Sequence, residues 1–326
     1  MITVKFKKAL AVLISCVIVL AHPDAIAERS ASVKEDSLKI GRLLDKAAEL
    51  LKKQSNKAAN EHLSEAHACQ ALNLSRRSHY ATGVGRSYFV LSEIYQRRND
   101  LESAVRFLDS AISIFKKNEL EKVFLADAYI RKADHFEISE KQGLETKIKC
   151  YEEAVKLLGS KMPISLKHAD ALKYLGDLYN VKEDNQRSIA RLQEAIAIYR
   201  TLRYDKLQDI YCLLGAVMNR NGSSREGLKY LLLAEKAALK YNDSSSTVTT
   251  MYNRLGNVYN SLNQLSEANK AFRRSIFYAR LNKDVDALLT VSANLGWSFI
   301  RIKEPRKGVQ VLKDALKYCT SKDTAS

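Results

Sequence analysis

The sequence contains few of the residues that interrupt helices. Among its 326 residues are three prolines and 12 glycines, too few for a long disordered linker or for a fold rich in tight turns. Pro163 and Pro305 lie between apolar periodic segments, where proline is tolerated because it does not break a helix interior. The placement of these prolines supports helices joined by turns.

The sequence also lacks the motifs of common catalytic sites. It contains no G-x-S-x-G, no C-x-x-C and no G-K-S/T phosphate-binding motif. His62 and His67 are five residues apart, about 140° around a helix, so they cannot share a metal-binding face. The segment 82–86 has glycines like those of a phosphate loop, but it follows a predicted helix instead of a strand. We expect no enzymatic activity, no metal site and no cofactor.

One pattern of small and large residues returns along the chain. Residues 252–272 predict two helices joined by a turn at 261–264. Leu255, Gly256 and Tyr259 share one face of the first helix because they are within about one turn of each other. The second helix presents matching small and aromatic residues, namely Ala268 and Phe272. The segment therefore predicts an antiparallel helical hairpin.

The same offsets recur at intervals of about 40 residues. The leading positions are near residues 46, 91, 132, 175, 214, 255 and 295. Two copies are degenerate. The first takes its second helix from Ala59, Leu63 and Ala66, and the third fits only if its turn, at 141–144, carries extra residues. A hairpin of this size cannot bury its apolar face alone, so the copies must stack.

These offsets resemble those of the tetratricopeptide repeat (TPR), with Gly at position 8, an aromatic residue at position 11 and Ala at positions 20 and 27. The resemblance covers residues 40–319. The period exceeds the usual 34 residues and is similar to that of TPR arrays in exported bacterial sensor and regulator proteins. The resemblance implies an all-α fold, a TPR-type α-solenoid of about seven helix-turn-helix repeats in a right-handed superhelix.

Residues 1–27 differ in composition from the rest of the chain. A basic leader precedes an apolar run of 13 residues at 9–21, and an A-x-A cleavage signal ends at Ala27. This order predicts a secretory signal peptide, and the run is too short for a membrane-spanning helix. The mature chain would then comprise a lead-in at 28–39, the TPR array at 40–319 and a tail at 320–326, exported to the periplasm or the medium.

A lipid anchor is the alternative for the same segment. Residues 13–16, Leu-Ile-Ser-Cys, resemble a bacterial lipobox, which would make Cys16 a lipid-modified amino terminus at the membrane. The apolar run continues beyond Cys16, where a mature lipoprotein usually turns polar. Cleavage after Ala27 is therefore favoured.

The remaining cysteines are not expected to form disulfides. They are in the first, third, fifth and seventh copies, whereas only adjacent repeats of a solenoid touch. A disulfide requires Cα atoms within about 7 Å of each other. We expect four free thiols, each packed as a small apolar residue in a helix: Cys69, Cys150, Cys212 and Cys319.

Positive charge exceeds negative charge, with a formal net charge of +16. From residue 201 onward there are 20 Lys/Arg against 11 Asp/Glu, compared with 30 against 25 in residues 28–200. The more basic carboxy-terminal part favours an acidic partner or an anionic surface. A solvated basic outer face is the alternative, and export argues against a nucleic-acid partner.

The TPR resemblance implies a concave groove lined by the first helices of the hairpins. Positions 5, 9 and 12 of each copy would point into it. Amide, guanidinium and indole groups at or beside these positions suit an extended peptide. The candidate protein-binding residues are Lys173, Asn180, Asn219, Arg220, Asn253, Asn257, Asn260, Trp297 and Arg301. We expect Trp297, the only tryptophan, to be exposed in this groove.

These features predict a non-catalytic, exported scaffold that binds a peptide or protein partner in the groove. The alternative is a periplasmic sensory input module whose output domain, of the histidine-kinase or transcription-regulator type, is on another chain. The last copy ends near Cys319 without a polar capping helix, which solenoids normally need. We therefore expect the last hairpin either to be polar enough alone or to dock on another protein.

Overall fold

The structure is a computed structural model that describes residues 23–53, 55–117, 121–159 and 163–323. These residues form fourteen helices and no strand. In chain order the helices are α1 Pro23–Lys52, α2 Lys57–Arg77, α3 Ala81–Arg97, α4 Leu101–Lys116, α5 Lys122–Ala133, α6 Lys141–Gly159, α7 Leu166–Val181, α8 Asn185–Thr201, α9 Gln208–Arg220, α10 Ser224–Lys240, α11 Ser246–Ser261, α12 Leu265–Leu281, α13 Val285–Arg301 and α14 Pro305–Asp323.

The chain divides into two compact units, Met1–Phe136 and Glu137–Ser326. Among the described helices, the first unit contains α1–α5 and the second contains α6–α14. The division is within the third repeat copy, so α5 and α6 belong to different units. Each unit consists of packed helix pairs, α1/α2 and α3/α4 in the first and α7/α8, α9/α10, α11/α12 and α13/α14 in the second. The predicted all-α fold of TPR-type hairpins is confirmed.

Most turns within and between the hairpins place one residue in the left-handed conformation. Asn263, between α11 and α12, has a φ of 58°. The next amide, that of Gln264, then donates to the carbonyl oxygen of Tyr259 at 2.8 Å. This bond satisfies a carbonyl group at the end of α11 that has no partner within the helix. The turn predicted at 261–264 is confirmed.

Small residues allow the two helices of a hairpin to approach closely. In α9/α10, a Cβ added to Gly215 would lie 2.7 Å from the carbonyl oxygen of Gly227. In α7/α8, the hydroxyl of Ser188 donates to the carbonyl oxygen of Gly176 at 2.7 Å. Larger side chains at these crossings would force the helices apart.

The predicted register of the first hairpin is wrong by five residues. The side chains predicted to face α1 are exposed, namely Ala59, Leu63 and Ala66. The buried residues of α2 are instead Ser64, Ala68 and Ala71. The Ser64 hydroxyl donates to the carbonyl oxygen of Ala47 on α1 at 3.0 Å. Because α1 continues to Lys52 and α2 begins at Lys57, the turn comes later than the degenerate sequence indicated.

The turn predicted at 141–144 is also wrong. These residues form the first turn of α6, and the non-helical residues 134–140 precede it. A Cβ added to Gly143 would lie 2.2 Å from the carbonyl oxygen of Glu137. A glycine is needed there because the backbone passes so closely, although the chain does not turn at this residue.

Residues 1–22 of the predicted signal peptide, including Cys16, lie outside the described residues. Helix α1 runs from Pro23 through the predicted cleavage site. None of the described helices combines the length and the apolar character needed to cross a membrane.

The four cysteines beyond Cys16 are free thiols in this structure. Cys150 and Cys212 are buried, as expected for small apolar residues. Cys69 is in α2 but exposed, which corrects the expectation that each cysteine is packed as a small apolar residue.

The last hairpin is not uniformly polar. Helix α14 continues to Asp323, so the predicted tail at 320–326 begins inside it. Val309, Leu312 and Leu316 are exposed along this helix. Their spacing of three and four residues places them on one face.

Candidate functional site

A pocket of about 300 Å³ lies across the first helices of three consecutive hairpins, α7, α9 and α11. It is lined by Lys173, Tyr174 and Asp177 from α7, by Asp209, Cys212 and Leu213 from α9, and by Ser246, Thr247, Thr250 and Arg254 from α11. Because three repeats contribute to it, the pocket depends on their stacking.

Arg254 connects two of these helices. One guanidinium N–H group donates to the Sγ atom of Cys212 at 3.4 Å. Cys212 is 2% exposed, and its burial raises the pKa of the thiol although Arg254 acts in the opposite direction. The thiol is therefore neutral at pH 7, and it serves as a weak acceptor that holds the arginine beside the pocket.

The charged side chains of the pocket balance each other. Lys173 and Arg254 are positive, and Asp177 and Asp209 are negative. The Lys173 Nζ atom lies 5.3 Å from the centroid of the Tyr174 ring, within the range of a cation–π interaction. Hydroxyl groups from α11 add neutral donors and acceptors. The pocket can therefore satisfy a ligand that carries both donors and acceptors, as a peptide backbone does.

A neighbouring pocket of about 500 Å³ is lined by Asn180, Val181, Glu183, Asn185 and Arg220. The Oδ1 atoms of Asn180 and Asn185 are buried and accept no hydrogen bond from the residues that the structure describes. The Nδ2 atom of Asn180 donates to Oδ1 of Asp177 at 3.1 Å, which links the two pockets. Burial of its guanidinium, and then the nearby charge of Arg254, lower the pKa of Arg220. Buried acceptors are normally hydrogen-bonded, so we expect water or a ligand to donate to these two oxygen atoms.

Two of the predicted binding residues on α11, Asn253 and Asn260, form hydrogen bonds with the next repeat. Asn294 Nδ2 donates to Asn253 Oδ1 at 2.9 Å, and Ser298 Oγ donates to Asn260 Oδ1 at 3.3 Å. Arg301 donates to the backbone carbonyl of Asn260 at 2.9 Å. These bonds join α11 to α13. The polar groups of Asn253, Asn260 and Arg301 thus have partners within the protein, and ligand binding by them stays a prediction.

Trp297 is open to solvent. Its side chain is 67% exposed, and that of Ile300, one turn later, is 49% exposed. Asn257, at the matching position of α11, is also exposed. Asn219 instead accepts a hydrogen bond from Ser224 Oγ at 2.7 Å, at the turn into α10. The exposure of Trp297 agrees with expectation, and its contact with a ligand stays a prediction.

The sequence reasoning missed Asp209, Thr250 and Arg254. It considered positions 5, 9 and 12 of each copy, whereas Asp209 and Thr250 are at position 2 and Arg254 is at position 6. Position 2 is three residues before position 5, on the same helical face. Including the position one helical turn before position 5 would therefore have identified Asp209 and Thr250. Arg254 is identified by its contact with Cys212 on the neighbouring repeat, which no local pattern indicates.

The other sequence features considered for chemistry have different roles. Residues 82–86 are inside α3. A Cβ on Gly83 would lie 2.4 Å from Ser75 Oγ, and one on Gly85 would lie 2.5 Å from the Phe115 ring. These glycines therefore serve close helix packing. In the part of the chain that the structure describes, no group of three His, Cys, Asp or Glu side chains could hold a metal ion.

Two segments of the chain, residues 85–118 and 249–276, match the family model of the tetratricopeptide repeat. They coincide with most of α3/α4 and α11/α12. The predicted resemblance to the tetratricopeptide repeat is confirmed in these segments, whereas the resemblance to exported sensor and regulator arrays stays a prediction. No match to a curated protein was found.

Solved structures share the fold at low sequence identity. The apo form of RapI has a TM-score of 0.58 and 11% identity, covering 89% of this chain and 99% of RapI. Aspartyl phosphate phosphatase F from Bacillus subtilis has a TM-score of 0.57 and 12% identity, covering 90% of this chain and 84% of its own. A signal transduction ATPase from Pyrococcus horikoshii with a tetratricopeptide repeat sensor has a TM-score of 0.57 and 16% identity, covering 87% of this chain and 47% of its own. These likenesses concern the fold alone.

Proposed function

We propose that this chain of tetratricopeptide repeats is a non-catalytic scaffold that binds an extended peptide segment of a partner protein. The peptide lies along what we call the inner surface, which comprises the residues that line the 300 Å³ pocket together with Asn257 and Trp297. The observation that carries the proposal is the pocket that α7, α9 and α11 form jointly beside Arg254. The TPR fold supports a role in protein–protein interaction.

The chemistry of the inner surface suits a peptide. Asp177 and Asp209 can accept hydrogen bonds from backbone N–H groups, and Arg254 can donate to carbonyl or carboxylate oxygens. Trp297 offers a large apolar contact area, and tryptophan is enriched among the residues that dominate binding energy at interfaces. The exposed Ile300 extends this apolar area.

The charges of the inner surface refine the kind of partner. A uniformly acidic segment would meet the carboxylates of Asp177 and Asp209 as well as the cations Lys173 and Arg254. Because like charges in contact are unfavourable, we propose a segment that carries both signs of charge and one large apolar side chain. The net charge predicted an acidic partner. We now propose that its bound segment carries basic as well as acidic side chains.

A selection of peptides tests this function. A phage-displayed library of random peptides is panned against the purified chain, and the affinities of the selected peptides are measured by calorimetry. Trp297→Ala and Arg254→Ala should each weaken binding by about tenfold or more, since truncating an interface hot spot costs about 2 kcal/mol or more.

Phe277→Ala is the matched control for these variants. Phe277 is an aromatic residue on α12 that is 62% exposed and is not part of the inner surface. Its truncation should leave affinity unchanged. Selected peptides that bind the Trp297 and Arg254 variants as tightly as the wild type would contradict the proposed site.

We further propose that the chain acts outside the cytoplasm after cleavage at Ala27. The basic leader, the apolar run at 9–21 and the A-x-A signal support this. Intact-mass analysis of the protein from its native host should show a chain that begins at Glu28. A species beginning with a lipid-modified Cys16 would overturn this proposal in favour of the anchor.

A further inference from the structure

A separate pocket of about 510 Å³ lies between the carboxy-terminal end of α8, the segment 202–207 and the second half of α10. It shares no lining residue with the inner surface. An inference about it is therefore independent of the proposed peptide site and goes beyond it.

Positive charge dominates the polar part of this pocket. Four cationic side chains line it, namely Arg200, Arg203, Lys236 and Lys240, against the single carboxylate of Asp205. Asp205 already accepts hydrogen bonds from Lys240 Nζ, at 2.8 Å, and from the Tyr241 hydroxyl, which lower its pKa in that order. Asp205 is therefore ionised and engaged at neutral pH, and it neutralises Lys240 in part.

Two of the four cations are available to a ligand. Neither Arg203 nor Lys236 forms an ion pair with any residue that the structure describes. Both are exposed. Arg200 donates to the Tyr211 hydroxyl at 3.1 Å, a neutral partner that leaves its charge uncompensated. The pocket therefore carries an excess of positive charge that an anionic group would neutralise.

The rest of the lining is apolar or aromatic. Leu207 and Tyr211 are buried, whereas Tyr204 and Leu233 are 38% and 39% exposed. Tyr204 also packs on Tyr199, with ring centroids 5.1 Å apart. These side chains form a hydrocarbon surface beside the cations, on which an apolar body can be buried.

Helix α10, which contributes Leu233 to the pocket, carries further exposed leucines outside it. Leu232 is 43% exposed and Leu239 is 62% exposed. They are seven residues apart, so they lie on one face of α10. Exposed leucines interspersed with lysines are typical of helices that contact lipid, because lysine stems lie along apolar surface while their ammonium groups stay in water.

We propose that this pocket binds an anionic amphiphile, with a phosphate or carboxylate group at the cations and a hydrocarbon chain against Tyr204, Tyr211 and Leu233. A peptide is the less suitable occupant, because the single carboxylate of the lining, Asp205, already accepts hydrogen bonds from Lys240 and Tyr241, and no amide, Ser or Thr side chain lines the pocket to accept from backbone N–H groups in its place. A free amphiphile and an anionic lipid in a membrane leaflet present the same chemistry.

Calorimetry on the full chain tests the proposal, with dodecyl phosphate below its critical micelle concentration as the probe. Dodecyl phosphate should bind at least about tenfold more tightly than inorganic phosphate or uncharged dodecyl maltoside, since each of these lacks one of the two recognised parts. Lys236→Glu and Leu233→Asn should each weaken dodecyl phosphate binding by about tenfold or more.

Lys229→Glu is the matched control, because Lys229 is an exposed lysine of the same helix that lies outside the pocket and pairs with Glu226 at 2.8 Å. It should leave the affinity for dodecyl phosphate within about twofold of the wild type. Thermal unfolding of every variant checks folding. Should Lys236→Glu unfold, Lys236→Gln replaces it, and it should also weaken binding because it removes the cation.

Vesicle flotation distinguishes the two sources of the ligand. Binding to phosphatidylcholine vesicles that contain phosphatidylglycerol, lost in Lys236→Glu, identifies a membrane lipid. Binding of monomeric dodecyl phosphate without vesicle binding identifies a free amphiphile, and either result supports the proposal. The proposal is overturned if dodecyl phosphate does not bind, if dodecyl maltoside binds equally well, if Lys229→Glu weakens binding as much as Lys236→Glu, or if an acidic, leucine-containing peptide occupies the pocket in preference.

Discussion

The backbone of Gly256 lies directly against the ring of Phe272, so that a Cβ added to the glycine would be 2.4 Å from Cε1 of the ring. Phe272 is 0% exposed and packs in one cluster with Val291 and Leu295 of the next hairpin. The ring is therefore enclosed by side chains of both hairpins. This one contact sets the separation of α11 and α12 and supports the position of α13.

Gly256→Ala should destabilise the protein. We expect the free energy of unfolding to fall by about 1–3 kcal/mol, because extra volume in a close-packed site forces strain. Gly296 occupies the same repeat position on α13, but there the nearest atom to an added Cβ is 3.6 Å away.

Gly296→Ala is thus a matched control, and it should be neutral or raise stability by up to about 1 kcal/mol, since alanine favours a helix more than glycine does. Urea unfolding followed by circular dichroism measures both variants. Equal losses of stability in the two would show that the contact with Phe272 does not limit the side chain at Gly256.

The hydrogen bond between Asn253 on α11 and Asn294 on α13 should contribute to stability. Asn253→Ala removes the acceptor for Asn294, so we expect a loss of about 0.5–1.5 kcal/mol in the free energy of unfolding. Asn257→Ala, at an exposed position of the same helix, should cost less than about 0.5 kcal/mol. If the two variants unfold at the same urea concentration, the bond to Asn294 contributes nothing measurable.

The turns carry strain that a glycine would relieve. Lys283, between α12 and α13, has a φ of 57°, a conformation that costs an L-residue about 1–2 kcal/mol. Lys283→Gly should stabilise the protein by about 0.5–1 kcal/mol, because the larger entropy of glycine in the unfolded chain offsets part of the gain.

Gly222 provides the reverse experiment. It has a φ of 84°, and no atom of the described residues lies within 4 Å of an added Cβ. Gly222→Ala should therefore destabilise through the backbone alone, by about 1 kcal/mol. Thermal unfolding that shifts in the same direction for both variants would contradict the assignment of strain to these turns.

His168 should make stability depend on pH. It is partly buried near the start of α7, and burial lowers its pKa below the ordinary value of 6.5, with Glu194 acting weakly in the opposite direction. Below that pH the unfolded chain binds more protons than the folded one. The stability contributed by neutral His168 is therefore complete above pH 6.5 and is lost as the pH falls through its folded pKa.

His168→Gln should reduce the stability lost between about pH 7.5 and about pH 5, because the group that takes up the proton is absent. Urea midpoints at the two pH values measure this loss. His62→Gln, at an exposed histidine of α2, should retain the pH dependence of the wild type. An unchanged pH dependence in His168→Gln would contradict the role of this histidine.

The repeat spacing predicted the hairpins wherever the two helical faces differ in chemistry. Leu255 and Tyr259 are large and apolar, so only one orientation of α11 buries them. The first copy was misplaced because alanine fits either face of a helix. Ala59 and Ala66 are exposed, whereas Ala68 and Ala71, on the opposite face of the same helix, are buried. The register is identified only in the structure, by the buried residues of α2 and by the hydrogen bond from Ser64 to Ala47.

The candidate site was predictable only in part, for a similar reason. A position on one helix indicates whether a side chain lies on the outside of that helix, as for the exposed Trp297 and for Lys173, which lines the pocket. The bond between Asn253 and Asn294, and that between Arg254 and Cys212, depend on the distance and angle between successive first helices. Those quantities arise from packing across about 40 residues of chain and are not encoded in a local pattern.

The most direct test of the proposed function is the fluorescence of Trp297, the only tryptophan of the chain. Because its side chain is 67% exposed, the free protein should emit as a solvated indole. Addition of a selected peptide should shift the emission to the blue as the indole is covered, and Arg254→Ala should move the midpoint of this shift to at least about tenfold higher peptide concentration. An emission spectrum that does not change while calorimetry shows the peptide bound would contradict the claim that the inner surface is the binding site.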